Sequence, residues 1–416
     1  MTAKINQSDD FLKNILVVFF GATLVNICNL LFQLFIAHSF TPIDFASFNA
    51  LLSFVMILSA PLANLQVVSA KFCASYRSGN DLAKLRYFLQ EFIRRTTWMG
   101  IISLVLFYVF SVFMLDKLKI DSPYSAYLLA ILFALSWVVP VVSGGVQGIE
   151  AFKWLSFILA ASHILKLACA VFLIKIGLGI PGAFMAFLIS SAAIVILSVI
   201  PLRNIIFAPY VRQDVDFNRK ITFIFPVMAA SFVYMMLINA DMILVKYFFS
   251  AQESGIYAVY QMVGKIFLFL PAAVATVIFP KTSSLSSKNM QTHHFLRRGL
   301  LYAGFLVLCA AIFYNLFPVF TLKVLTGKAM PEAVFLGRMF SVSMSFFTLC
   351  SILFYYFLSI SDFRFLKYFF LAAVLQLALI SLFHTALFQV QLIMCVNSFA
   401  LFLIFMFLGF KKGIPR

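Results

Sequence analysis

The chain contains twelve apolar stretches, and each is long enough to cross the roughly 30 Å hydrocarbon core of a membrane as a helix. Its 416 residues are 63% hydrophobic and only 11% charged, whereas a soluble domain carries about 25% charged residues. No single globular core could hide so much apolar surface. We therefore predict an all-α, polytopic membrane protein with about twelve transmembrane helices. The stretches lie near residues 11–37, 45–70, 93–115, 123–147, 152–175, 179–202, 221–248, 254–280, 298–322, 333–358, 365–387 and 389–410.

Positive charge is distributed unevenly among the loops that join these stretches. The sequence has 31 Lys and Arg against 14 Asp and Glu, and 22 of the 31 fall on one side of the membrane against 7 on the other. Because cytoplasmic loops are enriched in Lys and Arg, we predict a multi-pass protein of the inner (cytoplasmic) membrane with both termini in the cytoplasm. The basic excess does not indicate nucleic acid as a partner, since the sequence has no soluble basic domain.

Sequence motifs for catalysis or metal binding are absent. The sequence has no GxxxxGK[ST], HExxH or GxSxG motif. Its six cysteines lie apart, without a CxxC pair or a metal-ligand spacing. The loops are too short to build the carboxylate or basic site of a glycosyltransferase. We therefore predict that the protein is not an enzyme and that it holds neither a metal nor a cofactor.

Two segments, Asp44–Lys71 and Glu253–Lys281, follow the same pattern in the two halves of the chain. Each opens with an acid, has an aromatic residue four positions later, and carries a proline ten positions before a lysine (Phe48 and Tyr257, Pro61 and Pro271, Lys71 and Lys281). The offset of 203–210 residues is half the chain. It predicts a parallel repeat of two pseudo-symmetric six-helix bundles, residues 1–210 and 211–416, with a cavity between them as in transporters.

Lys166 and Lys265 lie deep within apolar stretches, where a charge costs roughly 2.5–3.5 kcal/mol. At 1.5 Å per residue they would be about 20 Å and about 16 Å from the cytoplasmic ends of their helices, near the middle of the membrane. We interpret them as cations that face the interior of the protein, where they line a cavity that binds an anion. The alternative is that each lysine caps backbone carbonyls or pairs with Asp241.

Several polar residues are candidates to act with these lysines. Tyr257 and Gln261 share a helix face with Lys265, and His163 shares one with Lys166. Asp241 could pair with a lysine, orient Asn239, or take a coupling proton. Asn29 could contact a sugar hydroxyl or form a hydrogen bond between helices. An Arg-Arg pair also stands where each half re-enters the membrane, and we interpret these pairs as a cytoplasmic entrance (Arg94, Arg95, Arg297 and Arg298).

Two segments resemble conserved stretches of oligosaccharide flippases. FTPIDFASFNALLSFVMILSAPL is similar to their LGPxxYGxxxxLxxLxxLxxxPL pattern, and NADMILVKYFF with the residues that follow it is similar to their NADxxLVxxFL region. These flippases are the Wzx-type polysaccharide proteins of the multidrug/oligosaccharidyl-lipid/polysaccharide (MOP) superfamily. Phe45-Ala46 replaces the usual Tyr-Gly of the first pattern.

The resemblance implies two helical bundles that form a V around a central cationic cavity. It implies movement of undecaprenyl-pyrophosphate-linked oligosaccharide units to the outer leaflet during synthesis of O-antigen, capsule or exopolysaccharide, by alternating access. Lys166 and Lys265 would be the cavity cations, although only Lys265 lies in a matching motif. Expected partners are the lipid-linked oligosaccharide, membrane lipid, and a polysaccharide polymerase or ligase. Twelve helices argue against the fourteen-helix lipid II flippase branch.

Two other functions are compatible with a polytopic helical chain. A cation-coupled multidrug (MATE-like) antiporter would need acids in its cavity, and the first six stretches have none at depth, which leaves Asp241 alone against two lysines. A membrane-embedded scaffold or enzyme partner without transport would not need buried cations at all. The buried lysines therefore favour the flippase.

Overall fold

The computed structural model describes residues 2–120, 123–217, 224–269, 293–328 and 330–411. These residues form helices joined by turns and, at 207–216, by a longer irregular connection, and they contain no strand. The all-α, polytopic prediction is thereby confirmed. The helices are α1 (Thr2–Ser39), α2 (Pro42–Ala63), α3 (Leu65–Ser78), α4 (Leu82–Lys117), α5 (Pro123–Gly148), α6 (Phe152–Lys175), α7 (Gly179–Ile206), α8 (Phe225–Phe248), α9 (Ala251–Phe269), α10 (His293–Leu316), α11 (Pro318–Thr326), α12 (Glu332–Ser359), α13 (Leu366–Leu382) and α14 (Leu387–Lys411).

Within the described residues, ten helical segments are long and apolar enough to cross a membrane, with α2 and α3 counted together as Pro42–Ser78. The two other predicted stretches also contain helices. Of these, α13 is a shorter apolar helix of 17 residues, and α9 has 19 residues. The structure thus places a helix in every predicted stretch, while the count of twelve crossings stays a prediction.

The described part of the chain divides into two compact units. Unit 1 comprises Met1–Ser39 and Leu58–Ala229, and unit 2 comprises Phe40–Ile57 and Ala230–Arg416. Most of α2 therefore packs within unit 2, although α1 and α3 belong to unit 1. The division into two repeated bundles, residues 1–210 and 211–416, is a statement about the duplication of the sequence and stays a prediction.

In unit 1, small residues bring helices close together. A Cβ on Gly144 of α5 would lie 2.4 Å from the Gln66 carbonyl oxygen of α3, and one on Gly148 would lie 2.5 Å from the Cys73 Cβ. Spacing of four residues puts both glycines on one face, as in the small-residue interfaces of membrane helices. The Ser69 hydroxyl donates to the Val141 carbonyl across the same contact, at 2.8 Å. This α3–α5 contact therefore depends on residues without bulk.

In unit 2, the core is built from packed aromatic rings. Phe357 and Phe365 stack at 5.3 Å between centroids, and Phe405 of α14 meets both at their edges. Gly264 of α9 lies against the Phe340 ring of α12 so closely that a Cβ would be 2.0 Å from a ring carbon. The α9–α12 contact positions the helix face that carries Tyr257, Gln261 and Lys265.

The two acids that open the segments of the predicted repeat make equivalent hydrogen bonds. At the start of α2, the Asp44 backbone N–H donates to the Thr41 hydroxyl at 3.2 Å, and that hydroxyl donates to the Asp44 carboxylate at 2.6 Å. Ser250 and Glu253 make the same two bonds at the start of α9, at 3.2 and 2.7 Å. Reciprocal bonds of this kind satisfy backbone groups at a helix N-terminus. Pro271 and Lys281, the later members of the second copy, lie outside the described residues.

Candidate functional site

Lys166 of α6 is enclosed by side chains from two other helices of unit 1. Its Nζ donates a hydrogen bond to Asn29 Oδ1 of α1 at 2.5 Å. It also lies 4.9 Å from the ring centroid of Phe32 on α1 and 4.8 Å from that of Phe187 on α7. Only 4% of the residue is exposed. Ring faces attract cations, so the ammonium is stabilised by two rings and one amide oxygen.

Lys265 of α9 makes a similar bond in unit 2 but is less enclosed. Its Nζ donates to Asn239 Oδ1 of α8 at 2.9 Å, and the residue is half-buried. The amide nitrogen of Asn239 donates to the Met235 carbonyl of its own helix at 3.0 Å, which fixes the direction of the oxygen. Neither lysine belongs to any of the four ion pairs found among the described residues.

Asp241 of α8 is fully buried. It contacts α9 at Gln261, one helical turn before Lys265. Its Oδ2 accepts hydrogen bonds from the Tyr257 hydroxyl at 2.6 Å and from Gln261 Nε2 at 2.8 Å. Its Oδ1 has no hydrogen-bond partner within the described residues. The suggested ion pair between Asp241 and a lysine is thus not formed there, because α9 presents two uncharged donors to the carboxylate and Lys265 reaches Asn239 instead.

The structure brings five of the predicted site residues into one polar ladder between α8 and α9, namely Asn239, Asp241, Tyr257, Gln261 and Lys265. The predicted helix face of α9 carries all three donors, which follow one another at intervals of four residues. The ladder is antiparallel, because the later α9 residue bonds the earlier α8 residue. The spacing of four residues in the sequence was sufficient to predict this face. Which α8 residue accepts each hydrogen bond could be learned only from the three-dimensional structure.

His163 and the two arginine pairs lie outside this polar ladder. Nδ1 of His163 lies 2.8 Å from the Leu159 carbonyl of its own helix, so this histidine is fixed by α6 itself. Arg94 and Arg95 are exposed, but both bond Glu91 of α4, at 2.6 and 2.7 Å. Arg297 and Arg298 of α10 are exposed and have no ion-pair partner in the described part of the chain.

Sequence reasoning missed the residues that enclose Lys166 and those that bind the first arginine pair. Phe32 follows Asn29 by three positions and therefore shares its helix face, which is a usable signal. Glu91 precedes Arg94 and Arg95 by three and four positions, the spacing of helical ion pairs. Phe187 had no such signal, because it approaches Lys166 from a different helix.

Neither a protein-family model nor a curated protein sequence matches the chain. Solved structures do. A multidrug resistance MATE family transporter of the MOP superfamily, in an inward-facing conformation, superposes with a TM-score of 0.76 at 13% identity, over 93% of this chain and 94% of that one. The lipid II flippase MurJ, in an inward closed conformation, gives 0.72 at 15% identity, over 97% of this chain and 88% of that one. This chain has the MOP transporter fold.

A third MOP structure shows how function varies on this fold. It is a transporter from Pyrococcus furiosus Vc1 (DSM3638), whose description states that a binding pocket of reverse polarity suggests a different function. It superposes with a TM-score of 0.64 at 12% identity, over 96% of this chain and 95% of that one. The MOP fold therefore accommodates a multidrug transporter and a lipid flippase, and the substrate has to be argued from the side chains.

Proposed function

We propose that the protein is a flippase that moves an undecaprenyl-pyrophosphate-linked oligosaccharide from the cytoplasmic to the outer leaflet during surface polysaccharide biosynthesis. The observation that carries the proposal is the pairing of two intramembrane ammonium groups with amide oxygens instead of carboxylates. A carboxylate in direct contact would cancel the charge of the lysine, whereas the oxygen of an asparagine is neutral. Asp241 interacts electrostatically with Lys265 but forms no ion pair with it. Two ammonium groups against this one carboxylate leave net positive charge, which is suited to a multivalent anion such as pyrophosphate.

Lys265 is the better candidate for direct contact with the anion. Its ammonium has a single hydrogen bond within the described residues and is half-buried. Lys166, by contrast, is enclosed by Phe32, Phe187 and Asn29. In this proposal Lys265 binds phosphate oxygens, and Lys166 contributes the electrostatic field of a buried cation in unit 1. Nδ1 of His163 is held by the Leu159 carbonyl of its own helix, which leaves Nε2 as the ring atom that could act beside Lys166.

The arginine pairs supply the cytoplasmic entrance in this proposal. Arg297 and Arg298 present two exposed charges, while Arg94 and Arg95 share the carboxylate of Glu91 and so contribute one net charge. Such charges concentrate an anionic headgroup near a membrane surface. Transport then proceeds by alternating access without chemical conversion of the substrate, and a polymerase or ligase would take up the oligosaccharide at the outer leaflet.

A cation-coupled antiporter is the second candidate, and Asp241 is the observation that favours it. The carboxylate is fully buried, and its Oδ1 lacks a hydrogen-bond partner among the described side chains and backbone. A proton or a metal cation could bind such an oxygen. The same carboxylate could instead couple flipping to an ion gradient. The two functions therefore differ in the transported substrate and not in the role of Asp241.

The discriminating experiment compares Lys265→Ala with Lys175→Ala, an exposed lysine at the end of α6, in a strain that lacks the chromosomal gene. We expect Lys265→Ala to be expressed normally, to stop display of the surface glycan, and to accumulate the undecaprenyl-linked intermediate. Lys175→Ala should restore display of the surface glycan and should not accumulate the intermediate. Full restoration by Lys265→Ala would remove the lysine from the mechanism. Drug efflux driven by a cation gradient in inverted vesicles, with no accumulated intermediate, would establish the antiporter instead.

A further inference from the structure

A short extra helix, α11, joins α10 to α12 in unit 2. It begins with Pro318 directly after α10 ends, and it stops at Gly327, whose φ of +71° is the left-handed conformation that glycine adopts readily. Leu322 and Thr326 are its buried residues, and the helix packs on α9 and α10. The other connections at this end of the helices, such as Phe248–Ala251, are turns without a helix in the part of the chain that the structure describes.

The opposite face of α11 is apolar and uncovered by unit 2. Val319, Phe320, Lys323 and Val324 are all exposed and lie at the i, i+1, i+4 and i+5 positions of one helix face. Phe320 is 60% exposed and Val324 is 52% exposed. Exposed Phe and Val side chains with a Lys beside them are suited to the boundary between acyl chains and headgroups, where interfacial helices bury their apolar face.

The length of α10 places α11 at the membrane boundary. From Arg298 to Leu316, α10 rises about 27 Å at 1.5 Å per residue, which is close to the roughly 30 Å of the hydrocarbon core. α11 therefore starts where α10 leaves that core, at the end opposite to Arg298.

The exposed apolar side chains are also continuous across the junction of the two helices. Ile312, Phe313 and Leu316 of α10 are exposed, and the Phe313 ring meets the Phe317 ring at 5.6 Å between centroids. The lipid-facing surface of α10 thus leads directly onto α11.

We propose that α11 is an interfacial helix that binds the phospholipid surface of the leaflet opposite to the one in which α10 begins. Phe320 and Val324 enter the boundary between acyl chains and headgroups, and the long Lys323 side chain reaches toward headgroup phosphates. Through Leu322 and Thr326, the helix anchors the nearby end of α9 to that leaflet. A second copy of the chain is a poor fit, because a nine-residue helix is only about 14 Å long and a specific interface buries roughly 1,200 Å² or more.

Spin labels on cysteines test the proposal in full-length protein reconstituted into phospholipid nanodiscs. Cys309 is the one exposed native cysteine, so Phe320→Cys and Val324→Cys are made in a Cys309→Ala background. Phe305→Cys in the exposed face of α10 provides a lipid reference, and Ser78→Cys at the end of α3 provides an aqueous reference. Collision with oxygen and with a water-soluble nickel complex is measured at each site.

We expect both α11 labels to show oxygen accessibility several-fold above that of the Ser78 label and nickel accessibility several-fold below it, at a depth shallower than that of the Phe305 label. Nickel accessibility equal to that of the Ser78 label would place α11 in water and overturn the proposal. Dipolar broadening that disappears on dilution with unlabelled protein would also overturn it, by showing that a second copy covers the face. The measurement reports position alone and does not depend on which substrate the protein carries.

Discussion

At the scale of single residues, the two asparagines are the most informative feature of the site. Asn29 and Asn239 are 210 positions apart, within one residue of the 209-position offset between Asp44 and Glu253 at the starts of α2 and α9. The lysines that they hold are not equivalent, since Lys166 is on α6 and Lys265 on α9. The two units therefore use the same neutral acceptor and supply the cation from different helices. Each lysine is held by an amide oxygen and not by a carboxylate.

Asp241→Asn separates a coupling role of this carboxylate from a structural one. The amide oxygen can still accept from Tyr257 and Gln261, so we expect thermal stability of the purified protein to change by less than about 1 kcal/mol. Loss of the ionisable group should reduce transport at least tenfold if Asp241 carries the coupling cation. Stability is measured by thermal unfolding of the purified variant, and transport is measured by the accumulation of lipid-linked intermediate in cells that express it.

The control is Asp241→Leu, which leaves the Gln261 amide without its acceptor and the Tyr257 hydroxyl with only the weak acceptor Met394 Sδ, at 3.5 Å. Each buried, unsatisfied donor costs about 1–3 kcal/mol, so this variant should be clearly less stable than Asp241→Asn. If Asp241→Asn transports at the wild-type rate, the carboxylate serves only to hold α8 against α9.

At the scale of elements, the segment after α7 is held firmly against α4. Nε2 of Gln90 lies 2.9, 3.1 and 2.8 Å from the carbonyl oxygens of Ile205, Ile206 and Ala208, where the helix has no further backbone donors. Glu91 accepts a hydrogen bond from the Tyr210 hydroxyl at 3.0 Å. Adjacent residues of α4 therefore fasten both the end of α7 and the first part of the connection toward α8.

The aromatic residues of this connection extend the contact. Phe217 stacks on Phe88 at 5.3 Å and lies 4.6 Å below the guanidinium of Arg95. The Arg95 side chain is in turn held by Glu91. Arg94 and Arg95 thus have a structural role in unit 1 besides the entrance role proposed for them, which Arg297 and Arg298 do not share in the described residues.

Glu91→Ala should release residues 207–217 without unfolding unit 1. It removes the acceptor of Arg94, Arg95 and Tyr210 at once, while the two exposed guanidinium groups can be solvated by water. We expect amide hydrogen exchange in this segment to accelerate at least tenfold, which corresponds to about 1.4 kcal/mol of local opening. Exchange in α5, which also packs on α4, should remain as in the wild type.

Arg86→Ala is the matched control, because Arg86 is exposed on the same helix and has no part in the Glu91 contacts. It should leave exchange in residues 207–217 unchanged. Equal acceleration in both variants, or none in Glu91→Ala, would show that the aromatic contacts of Phe217 hold the segment by themselves.

At the scale of the whole molecule, the sequence was most informative where structure is local. Apolar stretches of sufficient length predicted the positions of the helices, and spacing of four residues predicted the polar face of α9. The Lys166–Asn29 contact joins residues 137 positions apart, and a single sequence has no signal for such a pair. The predicted stretch 298–322 included the first residues of the short helix α11. Apolar periodicity alone does not distinguish a helix that lies at the membrane surface from one that crosses the membrane.

The membrane orientation is a prediction about the whole chain that depends on charge alone. The 22-to-7 distribution of Lys and Arg should retain the more basic loops in the cytoplasm. Alkaline phosphatase, which is active only outside the cytoplasm, and green fluorescent protein, which fluoresces only inside it, are fused in turn after Arg416, Arg212 and Lys328. We expect fluorescence without phosphatase activity after Arg416 and Arg212, and phosphatase activity without fluorescence after Lys328. Phosphatase activity at Arg416 together with fluorescence at Lys328 would invert the orientation, and the proposed direction of substrate entry past Arg297 and Arg298 would then be wrong.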